Sequence, residues 1–324
     1  MDLETLKGKI RGVDIVLITP FKEDGALDLE GLKENVNFLV EEIEGKDFIL
    51  TPVGSTGEFY ALSEDEHKAV IRTVVEEVAG RVPVFAGTAQ AGTPQTVAMC
   101  RYAEEVGADG VQLVLPYYHI PTNEGMYEHF KAVADAVDIG IKIYNNPAVS
   151  SSWINPELMA RLSEIENIIG LKENTPHITY YRQMIRTLDP AKIATLCGLG
   201  EVMYSFEVVY GCLGFVTWIG NFAPQLSYQV YEAGESRDMD RLMEAIDGIA
   251  PLDDFVGKMT AAHAPNTSAL PAPDLMGGTL YVSVAKAAMD LMGLHGGPPR
   301  LPLVPLTDAE KDELGEILED LDLI

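Results

Sequence analysis

Residues 139–173, IGIKIYNNPAVSSSWINPELMARLSEIENIIGLKE, contain one strand–helix–strand unit. Its two ends, 139–144 and 168–171, are largely apolar without a clear alternation, as expected for strands that are covered on both faces. Between them, Asn155 followed by Pro156 is typical of a helix with a capping residue and a proline in its first turn. The pattern predicts two parallel strands joined by a helix.

The same rhythm repeats along the first two thirds of the chain. Eight strands are predicted, at residues 14–19, 47–51, 82–87, 110–115, 139–144, 168–171, 193–197 and 214–218. Ser63 with Glu66 forms a capping box before a helix that extends to about Ala79, and Thr93 is predicted to cap a helix that starts with a proline. A doubly wound sheet shares this rhythm, but eight units without a linker predict one (β/α)8 TIM barrel, an α/β fold.

The last third of the chain is predicted to be helical. We expect residues 1–225 to form a barrel that carries the active site, and residues 226–324 to form a helical part packed on it within the same structural unit. The stretch 264–273 (APNTSALPAP) predicts a loop. Thr307 with Glu310 is a second capping box, which opens the C-terminal helix.

Composition restricts the class of function. The 324 residues include 23 Lys and Arg against 50 Asp and Glu, a formal net charge of −27. Such a chain repels phosphate backbones and anionic lipids, so we expect it to bind neither nucleic acid nor membranes. Three cysteines without CxxC spacing and six histidines without an HExxH motif indicate neither a disulfide framework nor a metal site. The N-terminal sequence lacks an apolar signal core, so the expected location is the cytoplasm.

Candidate catalytic residues stand at the carboxyl ends of the predicted strands, where the active sites of such barrels lie. Lys172 follows the apolar run 168–171, where desolvation would lower the pKa of its amine and leave it free to attack a ketone. The alternative is a lysine that reaches solvent or pairs with Glu173. Tyr144 closes another strand and could transfer a proton, although buried tyrosines more often pack in a core.

The loop after the second strand, residues 54–58 (GSTGE), places Ser55 and Thr56 between two glycines, Gly54 and Gly57. Such a loop exposes backbone N–H groups and two hydroxyls, which suit a small carboxylate. The alternative is an ordinary turn stabilised by its own hydroxyls.

Lys142 complicates the prediction of a single reactive lysine. It lies two residues before Tyr144, so both side chains should point to the same face of the strand. It is either a rival nucleophile or a buried cation paired with a carboxylate such as Glu58. Its position about 6–7 Å deeper than the strand end favours Lys172 as the nucleophile.

Together these strand ends resemble the pyruvate-dependent class I aldolases of the dihydrodipicolinate synthase and N-acetylneuraminate lyase family. The motifs that carry the resemblance span almost the whole chain: 54–58 (GSTGE), 115–122 (LPYYHIPT), 144–147 (YNNP), 170–173 (GLKE) and 221–224 (NFAP). The resemblance implies a lyase without a metal or organic cofactor. It implies that Lys172 forms an imine with pyruvate or a related 2-oxo acid. The imine then either condenses with an aldehyde or undergoes the reverse reaction, in which a carbon–carbon bond breaks and an aldehyde is released.

The resemblance also implies roles for individual residues. Tyr144 matches the family's acid/base tyrosine, Ser55 its relay hydroxyl and Thr56 its carboxylate-binding hydroxyl. Tyr118 resembles a tyrosine that completes the relay from a neighbouring subunit, which implies a homotetramer built as a dimer of dimers. The other residues predicted to bind substrate are Gly54, Gly57, Gly198, Glu201 and Val216.

Departures from the family pattern bear on the aldehyde. Synthases of the family typically carry an arginine five positions after the tyrosine, to hold the second substrate's carboxylate, and here that position is Val149. Glu201 matches an acidic sugar-contacting residue of the neuraminate lyases, but Gly200 and Trp218 replace an aspartate and a serine of those enzymes. Trp218 is either part of an aromatic rim with Phe59 and Tyr60 or a core residue.

We therefore expect an aldolase, or a dehydratase of the same imine type, that acts on a hydroxylated 2-oxo acid such as a 2-oxo-3-deoxy sugar acid. One alternative is the synthase reaction of the family, which joins pyruvate to aspartate semialdehyde, with another carboxylate anchor. A second alternative, of another class, is a non-catalytic protein that binds 2-oxo acids.

Overall fold

The computed structural model describes residues 1–263 and 280–324. Its strands are β1 (Gly12–Val16), β2 (Phe48–Thr51), β3 (Phe85–Gly87), β4 (Gly110–Val114), β5 (Gly140–Asn145), β6 (Ile168–Glu173), β7 (Ala194–Cys197) and β8 (Gly214–Thr217). All neighbours are parallel, in the order β2-β1-β8-β7-β6-β5-β4-β3. A parallel bridge between Leu50 and Val84 joins β2 to β3 and closes the sheet. The predicted TIM barrel is confirmed.

Helices alternate with the strands and continue after the barrel. They are α1 (Leu3–Gly8), α2 (Leu29–Glu42), α3 (Glu64–Val78), α4 (Thr93–Glu105), α5 (Asn123–Ala134), α6 (Pro147–Ser150), α7 (Pro156–Leu162), α8 (Ile178–Thr187), α9 (Gly200–Glu207), α10 (Pro224–Glu235), α11 (Met239–His263), α12 (Leu280–Leu291) and α13 (Asp308–Asp320). None of these helices is long and apolar enough to span a bilayer. The predicted loop at 264–273 lies outside the described residues, and the division at residue 225 stays a prediction.

Three of the predicted helix starts are confirmed. Ser63 accepts a bond from the Glu66 N–H, and the Glu66 carboxylate accepts one from the Ser63 N–H. Thr307 caps α13 in the same way, and Asn155 caps α7 by accepting from the N–H of Leu158. These bonds satisfy N–H groups that have no partner within the helix.

The predicted N-cap at Thr93 is wrong by one residue. Gly92 is the capping residue of α4, and Thr93 is its first helical residue. The Thr93 hydroxyl lies 2.9 Å from a ring nitrogen of His129 on α5, so a tertiary contact takes the side chain that would have capped the helix.

Strand ends also differ from the prediction. β6 continues to Glu173, two residues further than expected, because Lys172 and Glu173 pair with the neighbouring strand β7. β1 ends at Val16 rather than residue 19, since the Ile18 N–H donates to the side chain of Asn221 (2.9 Å) and leaves the ladder. Lys172 is therefore part of a strand and is held by the sheet itself.

The interior of the barrel is layered along its axis. At the amino ends of the strands, an apolar cluster of Leu6, Ile10, Ile49, Phe85, Ile169, Ala194 and Leu196 closes the barrel, and α1 contributes to it. Above this cluster lie the buried polar residues Asp14, Thr51 and Lys142. Tyr144 and Lys172, two residues further along their strands, form the next layer towards the carboxyl ends.

Candidate active site

Lys172 is buried at the carboxyl end of β6, with 4 % of its surface exposed. It pairs in register with Tyr144 of β5, and its Nζ lies 3.8 Å from the centre of the Tyr144 ring. Gly198 leaves the space for this side chain, because a Cβ there would lie 3.0 Å from Lys172 Cε and much closer to Asn174. Burial lowers the pKa of Lys172 to about 8, so a substantial share of the amine is neutral near pH 7–8.

Glu173 does not pair with Lys172. Its carboxylate accepts bonds from the Asn145 side chain (2.9 Å) and from the N–H of Thr175 (2.9 Å). Burial raises the pKa of Glu173 to about 7. Successive residues of a strand point to opposite faces, which separates the two side chains and leaves Lys172 inside the barrel.

The Tyr144 phenol is buried beside the lysine and has several polar neighbours. Its oxygen accepts bonds from the side-chain amides of Asn146 (2.6 Å) and Asn174 (3.4 Å). Burial raises the pKa of Tyr144 to about 12, an effect that hydrogen bonds with Asn146 and Ser55 oppose. The structure therefore brings together Lys172, Tyr144 and Ser55, as the sequence predicts. The phenol keeps its proton near neutral pH and can donate it.

The loop of residues 54–58 follows β2 and carries backbone strain at both ends. Val53 and Glu58 have positive φ angles, 60° and 55°. This conformation is unfavourable for a β-branched residue and is found mostly where a site requires it. Gly54 and Gly57 pack tightly, because added Cβ atoms would lie 2.4 Å from Val16 and 2.8 Å from the Leu17 carbonyl oxygen. The two glycines are thus required by packing as well as by their predicted role.

Tyr281 of α12 belongs to the site and was not predicted. Its phenol oxygen lies 3.2 Å from Thr56 Oγ1, and burial raises the pKa of Tyr281 to about 12. Lys286, one turn further along α12, forms a buried ion pair with Glu58 at 3.1 Å. These two contacts fix α12 against the loop that carries Ser55 and Thr56. The lysine within the apolar stretch 280–289 (LYVSVAKAAM) was the available sequence signal for a buried partner.

The predicted partner of Lys142 is wrong. Its amine forms an ion pair with Asp14 of β1, while Glu58 pairs with Lys286. Asp14 and Lys142 are both fully buried in the barrel interior. Glu58 pairs with Lys286 through one carboxyl oxygen, and the other oxygen accepts a bond from the N–H of Arg300 (2.8 Å).

Other predicted residues lie further from the lysine. One carboxyl oxygen of Glu201 accepts bonds from the hydroxyls of Thr217 (2.6 Å) and Ser227 (2.7 Å), and burial raises the pKa of Glu201 to about 7. Val216 lies in β8, paired in register with Asp14. Tyr118 is 79 % exposed after β4. Within one chain, neither Glu201 nor Tyr118 joins the cluster around Lys172.

The aromatic residues near the barrel mouth form two groups. The Phe59 ring contacts Tyr60 (5.8 Å between centres) and Tyr117 (6.0 Å), and these residues line a cavity of about 320 Å³. Trp218 contacts Phe222 and Tyr281 instead, at 5.9 and 6.3 Å. Among the described residues, no ring contact joins the two groups, so they do not form the single rim considered above.

Comparison with known proteins agrees with this geometry. The model of the Dihydrodipicolinate synthetase family matches residues 9–256. The chain belongs to this family. A 4-hydroxy-tetrahydrodipicolinate synthase of Archaeoglobus fulgidus is 34 % identical over 97 % of this chain and 99 % of the relative, and one of Cereibacter sphaeroides is 36 % identical over 97 % and 100 %. The crystal structure of dihydrodipicolinate synthase from Aquifex aeolicus matches with a TM-score of 0.83 and 31 % identity, covering 97 % of this chain and 99 % of that one.

Membership of the dihydrodipicolinate synthetase family makes the protein an enzyme of the lyase class with the class I aldolase architecture. The family resemblance inferred from the strand-end motifs is confirmed.

Proposed function

We propose that this protein is a pyruvate-dependent class I aldolase, or a dehydratase of the same type, in which Lys172 forms an imine with a 2-oxo acid. The observation that carries the proposal is the buried Lys172 amine, whose pKa burial lowers to about 8, in contact with the Tyr144 ring. A neutral amine in a site shielded from water is the species that adds to a ketone. No metal or organic cofactor is required for this chemistry.

The neighbouring groups supply the proton transfers. The Lys172 nitrogen adds to the carbonyl carbon, and the resulting oxyanion takes one proton from that nitrogen and a second from an acid before it leaves as water, which gives a protonated imine. Tyr144 is placed to donate and recover these protons, and Ser55 interacts with its phenol. The carboxylate of the 2-oxo acid would bind the Thr56 hydroxyl and the N–H groups of its loop.

The second half of the reaction uses the imine as an electron sink. Loss of a proton, or of a carbon–carbon bond, from the adjacent carbon gives an enamine. That enamine adds to an aldehyde carbon in the synthetic direction, and hydrolysis of the new imine returns the Lys172 amine. In a dehydratase the enamine adds to no aldehyde. The hydroxyl on the carbon next to the enamine takes up a proton and leaves as water.

The valine at position 149 favours an aldehyde that presents no carboxylate to α6. Val149 is 51 % exposed and is the third of the four residues of α6, at the position where the resemblance predicts an arginine in the synthases of the family. An arginine holds a carboxylate through two charge-assisted bonds, and valine offers none. We infer a hydroxylated 2-oxo acid as substrate, or pyruvate with the corresponding aldehyde as the substrates of the reverse reaction.

The second candidate is synthesis from pyruvate and aspartate semialdehyde. It is favoured by the relatives, since those of Archaeoglobus fulgidus and Cereibacter sphaeroides are both called 4-hydroxy-tetrahydrodipicolinate synthase and match over nearly their full length. This reaction would need a carboxylate anchor other than residue 149. Turnover with aspartate semialdehyde at about 1–10³ s⁻¹, the usual range for enzymes, would favour it over the first candidate.

The imine is tested by reduction with borohydride in the presence of pyruvate, followed by peptide mass spectrometry. We expect a stable adduct on Lys172 and none in Lys172→Met, while Lys192→Met, a surface control, keeps it. An unmodified Lys172 in the wild type contradicts the proposal. A panel of 2-oxo-3-deoxy sugar acids, neuraminate, aromatic aldehydes and aspartate semialdehyde then identifies the reaction by pyruvate release or consumption. Pyruvate that raises the Tm without any turnover would instead indicate a binding protein.

We also propose a homotetramer, located in the cytoplasm. Two groups of the exposed large apolar side chains lie close together in sequence: Tyr118 and Ile120 after β4, and Val202, Phe206 and Val209 on and after α9. Exposed apolar patches of this kind mark interaction surfaces. Sedimentation velocity tests the assembly, and Tyr118→Phe in a mixed oligomer tests whether a neighbouring subunit completes the proton relay.

A further inference from the structure

Lys142 and Asp14 form an ion pair inside the barrel. Lys142 starts on β5 and crosses the interior to Asp14 on β1, and Thr51 of β2 donates its hydroxyl to the same carboxylate at 2.6 Å. Asp14 and Lys142 have no exposed surface. Two neighbouring strands, β1 and β2, and β5 from the other side of the barrel therefore meet at one carboxylate.

The surrounding residues make room for this crossing. Gly170 is the register partner of Lys142, and a Cβ there would lie 3.1 Å from Lys142 Cγ. The Lys142 amine lies 4.8 Å from the centre of the Phe85 ring, which belongs to the apolar cluster at the amino ends of the strands. The pair thus lies between that apolar cluster and the layer that holds Lys172.

Stability does not account for a charged pair in this place. The interiors of such barrels are usually filled by bulky apolar side chains. Replacing a buried ion pair by apolar residues of similar volume is often neutral or stabilising, because burying two charges costs about as much as their attraction returns. A charged pair also acts over a longer range in a dry interior than in water. The pair can therefore change the pKa of the reactive Lys172 amine.

The titratable groups that face Lys172 come from three other strands. Tyr144 of β5 and Cys197 of β7 stay neutral near pH 7, because burial raises the pKa of both. Burial lowers the pKa of Lys172, and the Asp14 carboxylate of β1 opposes that shift. Burial also lowers the pKa of Lys142, with a smaller contribution in the same direction from the charge of Lys172. The ion pair places the Lys142 amine against the Asp14 carboxylate.

We propose that Lys142 is a positioning residue that keeps Lys172 in its neutral, nucleophilic form by neutralising the Asp14 carboxylate. Without Lys142, the Asp14 carboxylate loses the cation that pairs with it, and its uncompensated charge would favour the ammonium form of Lys172. Without Asp14, the opposing effect disappears and Lys172 loses its proton more readily. The proposal rests on the proposed imine chemistry of Lys172, whose readiness to react it explains.

The test is a cycle of three variants: Lys142→Met, Asp14→Asn and the double variant. The first readout is the rate at which cyanate carbamylates Lys172, followed by peptide mass spectrometry as a function of pH. The neutral amine adds to isocyanic acid, so the rate divided by the isocyanic acid concentration at each pH follows the neutral fraction of Lys172. The second readout is reductive trapping of pyruvate over the same pH range. Lys192→Met changes a surface lysine two residues before β7 and serves as the control. Circular dichroism confirms that each variant is folded.

We expect Lys142→Met to raise the pH midpoint of both reactions by about one to two pH units, which slows them about 10–100-fold at pH 7. Asp14→Asn should lower the midpoint, and the double variant should return it to a value between those of the single variants. A merely structural role would change stability and leave the midpoints where they are.

The outcomes separate this proposal from the imine chemistry. If the wild type forms no pyruvate adduct, the proposed function fails, while the cyanate profiles still test the pair. If the wild type forms the adduct and the midpoints do not move, or the double variant stays as high as Lys142→Met, the role of Lys142 is overturned. Should Lys142→Met not fold, Asp14→Asn still decides, because an unchanged or raised midpoint there contradicts the proposal.

Discussion

The two sides of the active site differ in how closely they follow the family pattern. On the proposed imine side, Lys172 contacts the Tyr144 ring and Ser55 interacts with the Tyr144 phenol, and these are the residues that the motif resemblance predicts. On the proposed aldehyde side, Val149 and Trp218 stand where that resemblance leads us to expect an arginine and a serine. In the proposed reaction, the imine step and the choice of aldehyde therefore depend on different residues of the barrel, so that one can change while the other persists.

The largest expected effect is on the imine side. Tyr144→Phe removes the phenolic proton, and general acid–base catalysis contributes about 10²–10⁴-fold to such steps. We expect kcat to fall by that factor, while prolonged borohydride treatment with pyruvate still labels Lys172. Steady-state kinetics and peptide mass spectrometry measure the two effects.

Tyr210→Phe, a change at an exposed phenol, is the control for that experiment and should leave kcat unchanged. A loss of less than about threefold in Tyr144→Phe would mean that another group moves the proton, and the imine side would then differ from the family as well.

A smaller effect is expected on the aldehyde side. Val149→Arg restores a guanidinium at the position where synthases of the family typically carry one. A charge-assisted bond contributes about 1.5–3 kcal/mol, so kcat/KM for aspartate semialdehyde should rise at least about tenfold. The comparison with Val149→Lys measures the share that depends on two parallel bonds.

Unchanged kcat/KM in Val149→Arg, together with efficient turnover of aspartate semialdehyde by the wild type, would show that another group already anchors its carboxylate. The two sides would then be equally close to the synthases of the family in function, and the second candidate function would replace the first.

The smallest effect is expected at Tyr281, which supports the Thr56 hydroxyl at 3.2 Å. Tyr281→Phe removes one hydrogen bond, a change of about 0.5–1.5 kcal/mol, and should raise KM for pyruvate about two- to tenfold with kcat nearly unchanged. Tyr102→Phe removes a similar bond, to the Lys68 carbonyl, far from the site. Equal effects of the two variants would exclude a role for Tyr281 in binding.

The sequence was sufficient for what depends on local patterns. Strand and helix alternation predicted the barrel, and the position of Lys172 and Tyr144 at strand ends predicted that they meet, because parallel strands align their carboxyl ends. The capping boxes at Ser63 and Thr307 were predictable for the same reason, since each depends on residues three apart.

The errors come from contacts between residues distant in sequence. Glu58 was one possible partner for a buried Lys142, but it pairs with Lys286, 228 positions further along by residue number, and Lys142 pairs with Asp14 across the barrel. Nothing in the spacing of charged residues distinguishes these pairings. The positive φ of Val53 was equally unpredictable, because a β-branched residue gives no signal for that conformation.

The ion pair between Glu58 and Lys286 has a consequence for protein engineering. Because α12 braces the loop that carries Ser55 and Thr56 and also supplies Tyr281, the C-terminal helices are not interchangeable with those of a relative. A chimera that joins this barrel to another family member's C-terminal segment would exchange part of the pyruvate site along with its scaffold. Recombination within the family should therefore keep residues 54–58 and α12 from the same parent.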